Sequence, residues 1–582
     1  MRRSTFFIAL AGVLLLGGCS QELTAPVATR SGAVQGVAAD GFEMFRGIPY
    51  AAAPIGDGRW RAPQPHAGWA DTLDATEFGA QCWQPTESGN SDFLERLAEG
   101  SGMGGFKSWL LTTLGGLVTA ETSEDCLFLN VLTPDRTAKL PVMFWIHGGG
   151  HQFGSGGGPY ESPSLAAEGV VLVSINYRLG LYGFLAHPQL AAEDPNGSTG
   201  NYGTLDQIAA LQWVRDNIAA FGGDPDLVTI FGESAGGHSV GQLMASPVAR
   251  GLFHRAIAQS GTGFYQFQSV DADHERWSGF DAGRELARRA GVDGDNEIGA
   301  LRALSTDALA ELATDPELSA TFHPQIDGYV LPAPTAAIFA RGQQASVPLV
   351  VGSNADEGSL LYYFGLPAID GGAAVQPQNI DEWDALLAAE FGDAAAGLDG
   401  EYVIDADADV PKAAEQLMGD TWFGRHAFYM ADAHALTQHP AYLYFYERRP
   451  AAEAQTLGAS HALELAHVFG GFLPFWPWDA RDDALQAQMQ GHWAQFAATG
   501  DPNRDGLPAW EAFDALAPSE MNYGHEQTRA GPVTRLARYR AMRSQFHRRL
   551  RAADYSASTS AASRSSRGNA SSAGSLGRVN TR

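Results

Sequence analysis

The sequence predicts an α/β fold: a mostly parallel, mixed sheet with helices on both faces. Three observations carry this. Short apolar runs such as Val142 to Ile146, Val170 to Ile175 and Pro348 to Gly352 recur along the chain. Each has the length of a strand buried on both faces. Stretches with helical patterning alternate with them, as after Thr204 and from Ala282 to Ala290; that alternation is how helices come to cover a parallel sheet. Finally, Val228-Thr229-Ile230-Phe231 passes directly into Gly232-Glu233-Ser234-Ala235-Gly236-Gly237. This is the form of a strand that turns sharply into a helix and exposes a serine at the turn. Gly232 and Gly236 flank Ser234 because a Cβ at either position would collide as strand and helix close up.

Composition agrees with one large globular body. The chain has 582 residues, 45% hydrophobic and 18% charged. No linker-like segment or internal repeat interrupts residues 32–552. The formal net charge is -28, and eleven Arg from Arg535 onward face a single acid, Asp554, so the body before them carries about -40. Such a surface repels a polyanion and argues against nucleic acid as partner. It suits solubility and the attraction of cationic or neutral small molecules.

In chain order, Arg2-Arg3 precedes an apolar core from Phe6 to Leu16, too short to span a bilayer and read as a secretory signal. Leu16-Gly17-Gly18-Cys19 resembles the lipidation box of bacterial lipoproteins. The resemblance implies removal of residues 1–18, acylation of Cys19 and stable membrane attachment through several acyl chains. Ser20 rather than Asp follows, which by the same resemblance points to the outer membrane. Residues 19–31 are expected to be a tether. If Cys19 is acylated, Cys82 and Cys126 remain, an even pair in an oxidising compartment. A bridge between them would contribute about 4 kcal/mol in the chain-entropy model.

Phe45 to Pro65 is rich in Pro and Gly and is expected to drape over the surface rather than form a helix. An insert over 91–122 contains Trp109-Leu110-Leu111, enough for an amphipathic turn or two. Glu124 to Val131 alternates like a strand. His147-Gly148-Gly149-Gly150 follows the strand run at Ile146, and consecutive glycines let backbone N–H groups approach a ligand closely. Thr204-Leu205-Asp206-Gln207 fits a capping box. Arg535 to Arg551 reads as a surface helix, and residues 553–582, made of Ser, Ala, Gly and Arg, as a disordered tail.

A nucleophilic serine needs a base, an acid to orient that base, and donors for an oxyanion. With a strand-to-helix elbow the acid and then the base follow the serine in the chain. The acid falls in Asn354-Ala355-Asp356-Glu357-Gly358-Ser359, just past a buried strand, where residues alone leave Asp356 and Glu357 both open. For the base, His426, His461, His467, His492 and His525 all follow. His461 sits in a small-residue loop, Gly458-Ala459-Ser460-His461, that opens onto a helix.

The chain resembles the type-B carboxylesterases, an α/β-hydrolase family that includes cholinesterases and bacterial para-nitrobenzyl esterases. Phe221 to Gly236 is similar to the family's serine signature, and Glu124 to Val131 to its second signature. Matching blocks include Asn176-Tyr177-Arg178, Gly200 to Gly203 and Gly500 to Asn503, from about Gly32 to Trp510. The resemblance implies that Ser234 is the nucleophile, Glu357 the acid and His461 the base. It also implies oxyanion donors at Gly149, Gly150 and Ala235, a Cys82–Cys126 disulfide, and a tuning carboxylate at Glu233. No metal and no cofactor is implied; the expected partner is a small ester. Where the family carries an aromatic after the triple Gly, His151 stands, with Phe153 two residues on, which leaves acyl specificity open. Two other functions on this fold are a lipase or thioesterase, for which the insert near Trp109 would be a lid, and a surface binding protein, against which the complete triad speaks.

Overall fold

The computed structural model describes residues 22–85, 90–102, 121–265, 268–271, 278–364, 366, 375–471 and 476–573. Cys19 and Trp109, with most of the insert around it, lie outside the described residues. Among the described residues twelve strands form one sheet. Its order is Glu22–Leu23, Val37–Ala39, Phe42–Pro49, Phe128–Thr133, Val171–Ile175, Leu140–Ile146, Gly223–Glu233, Arg255–Gln259, Leu349–Asn354, Ala441–Tyr446, Ser519–Tyr523 and Thr528–Pro532. Neighbours from Val171–Ile175 to Ser519–Tyr523 are parallel. The outer strands on both sides pair antiparallel.

The central strands read as continuous apolar runs because both faces are covered. In Leu140–Ile146, Val142, Phe144 and Ile146 enter one core, with Leu211, Val240 and Leu243 of the helices Tyr202–Asn217 and Ala235–Ala245. Met143 and Trp145 enter the other, with Leu485, Met489 and Trp493 of the helix Ala480–Thr499. Alternate residues of one strand therefore anchor both helical layers.

The structure departs from the sequence reading at several places. Part of the stretch expected to be a tether belongs to the folded body: Glu22–Leu23 and Val27–Thr29 are strands. The first pairs with Val37 and Ala38, and in the second Val27 pairs with Val34 and is buried there. The Pro/Gly-rich run begins inside the sheet: Phe42–Pro49 is a strand, and Trp60, 2% exposed, donates its indole N–H to the Leu181 carbonyl. The helix expected at Thr204 starts at Tyr202 without a side-chain cap. Thr204, Asp206 and Gln207 are buried, and Asp206 takes a bidentate ion pair from Arg178 at 2.7 Å.

The last helix, Leu536–Ala573, runs through most of the stretch expected to be disordered. Ala and Arg are good helix formers, so composition without a core does not prevent a helix. Nor is its start a plain surface element. Asp420 is fully buried and opens a π-helical turn, Asp420–Gly424. It accepts hydrogen bonds from Tyr402 at 2.9 Å, Arg535 at 2.8 Å and Arg538 at 3.0 Å. A buried carboxylate is tolerated only with such partners.

Cys82 and Cys126 are disulfide-bonded across 44 residues. No helix among the described residues is long and apolar enough to cross a membrane.

Candidate active site

The strand Gly223–Glu233 lies in the middle of the sheet, and the helix Ala235–Ala245 starts two residues after Glu233. Ser234 makes the whole turn, with φ 56° and ψ -120°. A residue with a Cβ in such a conformation stores about 1–3 kcal/mol of strain. The turn is pinned at both ends: Ser234 N–H donates to the Gln259 carbonyl and His238 N–H to the Ser234 carbonyl, both at 2.9 Å. The glycines behave as the sequence requires. A Cβ on Gly236 would sit 1.9 Å from the Ile146 carbonyl oxygen, and one on Gly232 2.6 Å from the Gly236 carbonyl carbon.

Glu357 follows the strand Leu349–Asn354 and is 1% exposed. One carboxylate oxygen accepts from the Asn354 N–H at 2.8 Å, and the other lies 2.6 Å from His461 Nδ1. Asp356 is turned elsewhere. Its carboxylate accepts the Ala459 N–H at 2.9 Å and stands 3.6 Å from Lys412. It therefore holds the loop that carries His461 rather than the imidazole itself. Of the other histidines, His426 lies against the Trp422 carbonyl, His467 between Tyr446 and Asp482, His492 between Tyr523 and Pro508, and His525 on Arg448.

His461 Nε2 points toward the elbow, 3.1 Å from Glu233 Oε1. That carboxylate oxygen is outside hydrogen-bond alignment, so Nε2 remains available. Ser234 is half-buried, and its Oγ is not hydrogen-bonded to Nε2. Catalytic contacts of this kind commonly tighten only when substrate binds. Phe423, from the π-helical turn, packs on the imidazole at 4.7 Å.

A cluster of carboxylates controls the charge here. Burial works against a charged His461, but Glu233, Glu357 and Glu464 outweigh it and raise its pKa to about 9. Burial pushes Glu233 well above the usual carboxylate range, opposed by His461. Glu464, bonded to Asn354 and Gln259, rises to about 7 through burial and the neighbouring Glu357. The charge of the buried Glu233 therefore favours a protonated imidazole. A base must be neutral to accept a proton, so kcat/KM is expected to rise with pH until this proton leaves. Glu233→Gln removes the nearest negative charge and is expected to move that limb to lower pH. A pH–rate profile on an uncharged ester reads this directly; an unmoved or more alkaline limb would show that Glu233 does not act on the imidazole.

The glycine loop faces the elbow. Gly149, Gly150 and His151 have φ of 94°, 62° and 59° in succession. A Cβ on Gly149 would meet the Phe153 carbonyl oxygen at 2.1 Å, while one on Gly150 would meet nothing within 4 Å. Among the described residues no acceptor takes the N–H of Gly149 or Gly150. Ala235 opens the helix, where N–H groups lack intrahelical partners. His151 turns inward, 1% exposed, with Nε2 3.1 Å from Ser239 Oγ. Sequence reasoning did not single out His238, Phe423 or Gln259. His238 had a local signal, since it follows Ser234 by one helical turn; Phe423 had none.

A central-strand elbow with a strained serine, a Glu-paired His and free backbone donors beside it defines a serine hydrolase of the α/β-hydrolase fold. The chain belongs to the carboxylesterase family, whose model matches residues 24–546. It is 38% identical over 500 residues to the fumonisin B1 esterase of Sphingopyxis macrogoltabida, covering 84% of each chain. It is 35% identical over 518 residues to the para-nitrobenzyl esterase of Bacillus subtilis, covering 86% of this chain and 93% of that one. Among solved structures, the carboxylesterase of Geobacillus stearothermophilus is similar with a TM-score of 0.72 and 30% identity, over 89% of this chain and 99% of that one. The protein is a carboxylic ester hydrolase.

Proposed function

We propose that hydrolysis proceeds through an acyl-enzyme on Ser234. His461 Nε2 takes the Oγ proton as Oγ attacks the ester carbonyl carbon. The carbonyl oxygen becomes an oxyanion, held by the N–H groups of Gly149, Gly150 and Ala235. His461 then gives its proton to the departing alkoxy oxygen, and the alcohol leaves. Water attacks the acyl-serine, loses a proton to His461, and the acid is released as Oγ is reprotonated. Glu357 holds the ring through Nδ1–H and stabilises its charged form. The observation that carries this reading is the 2.6 Å contact of His461 Nδ1 with Glu357, which leaves Nε2 on the side of the elbow, 3.1 Å from Glu233, the residue before the strained serine. Incubation with a fluorophosphonate probe is expected to label Ser234 stoichiometrically, read by mass spectrometry of its peptide. Hydrolytic activity that survives without a label on Ser234 would overturn the assignment.

The substrate is proposed to be a small organic ester; the two relatives above are named for two different esters. We also propose that the protein is an exported lipoprotein with acylated Cys19 as its first residue. The support is Arg2-Arg3, the apolar core Phe6 to Leu16 and the box ending at Cys19. Cys19→Ala is expected to abolish incorporation of labelled palmitate and move the enzyme from the membrane to the soluble fraction. Membrane retention of the wild type without any acyl label would refute it.

A further inference from the structure

His238 stands one turn beyond Ser234 on the helix Ala235–Ala245 and is 4% exposed. Its Nδ1 accepts two backbone N–H groups, from Thr262 and Gly263, each at 2.9 Å. A nitrogen that accepts two donors carries no proton, so the ring proton sits on Nε2. The ring is clamped by aromatic neighbours. Tyr265 meets it edge-on at 4.5 Å, and Phe423 lies nearly parallel at 6.5 Å. Phe423 also packs on His461 at 4.7 Å, so the two imidazoles share one aromatic wall beside the reacting serine. Among the described residues no acceptor takes the Nε2–H of His238.

Several roles can be set aside. Burial, then the charges of His461 and His323, lower the pKa of His238 to about 3, so it is neither a general acid nor a cation near neutral pH. A metal site does not fit either, since no group of three His, Cys, Asp or Glu among the described residues is disposed to hold an ion. Anchoring the Thr262–Gly263 backbone uses Nδ1 alone and leaves the opposite N–H unexplained. Nε2 is not among the buried side-chain atoms that lack a partner, so this N–H is open beside the serine to an acceptor that a bound molecule supplies.

We propose that His238 is a specificity-determining residue: its Nε2–H donates to an acceptor oxygen of the bound ester beyond the scissile carboxyl group. The enzyme then prefers esters with an ether, hydroxyl or carbonyl oxygen at that point over their hydrocarbon isosteres. The inference rests on Ser234 as the reacting residue.

Two isosteric pairs test it, one on each side of the ester. The first is para-nitrophenyl methoxyacetate against para-nitrophenyl butyrate; the second is 2-methoxyethyl acetate against butyl acetate. The quantity read is the ratio of kcat/KM within a pair, which cancels any general loss of activity. His238→Asn keeps an acceptor for the Thr262 and Gly263 N–H groups but lacks a donor that reaches the Nε2 position. It is expected to lower the oxygen-to-hydrocarbon ratio about three- to ten-fold in at least one pair, the range of one neutral hydrogen bond. His238→Gln, whose amide reaches further, is expected to restore part of it. Ratios within two-fold of wild type in both pairs, in a variant that still labels with fluorophosphonate, would overturn the proposal. Absence of labelling in the wild type would instead overturn the reading of Ser234. Should the variants not fold, the wild-type enzyme decides. The His238 Hε2 proton signal is expected further downfield in a phosphonate adduct bearing the ether than in its alkyl isostere, and equal positions would refute the donor.

Discussion

Ser234→Ala is expected to abolish turnover of para-nitrophenyl esters, with kcat reduced by at least about 10⁴-fold. The size of the loss follows from the chemistry. Without Oγ no acyl-enzyme forms, and what remains is water attacking an ester polarised by the free N–H groups of Gly149, Gly150 and Ala235. The turn itself should survive, because it is held by the backbone bonds of Ser234 to Gln259 and His238 and by the glycines packed against Ile146. Alanine tolerates the φ of 56° no better and no worse than serine. The loss is therefore to be measured on protein with unchanged thermal unfolding. Retention of more than a few per cent of the wild-type rate would sink the nucleophile assignment.

Glu357→Gln is the second. It is expected to lower kcat by about 10⁴-fold with the fold intact, as in other triads whose acid becomes an amide. The amide retains an oxygen for the Asn354 N–H, but it can present its NH₂ to His461 Nδ1 and so favour the tautomer with the proton on Nε2. A base protonated at Nε2 cannot take the serine proton. The control sits one residue away. Asp356→Asn keeps an oxygen for the Ala459 N–H, breaks no contact with the imidazole, and is expected to cost less than ten-fold. Equal losses in the two variants would remove the distinction between the adjacent carboxylates.

That distinction marks the limit of what the sequence discloses. The elbow was legible because strand, turn and helix are contiguous, and steric exclusion at Gly232 and Gly236 leaves a recognisable pattern. Asp356 and Glu357 share one local context and differ only in which way each faces after the strand ends. Here Asp356 turns to the backbone at Ala459 and Glu357 to the ring of His461. The strands of the central sheet were legible because burial on both faces makes them apolar throughout. The entry strands at Glu22 and Val27 were not, since they are short and owe their order to the neighbours they pair with. The aromatic floor of the site was hidden for a similar reason. Phe423 reaches His461 through a π-helical turn whose first residue, Asp420, takes its counter-charges from Arg535 and Arg538, more than a hundred residues later.

This last arrangement bears on when the enzyme becomes competent during its synthesis. A nascent chain that has emerged only as far as the strand Ser519–Tyr523 already contains the elbow, Glu357 and His461. It lacks the two guanidinium groups that neutralise the carboxylate under Phe423. The wall that seats the imidazole cannot settle until the start of the final helix has left the ribosome and docked. Catalytic competence is thereby deferred to the last stage of synthesis, so that an incompletely synthesised chain is also an inactive one.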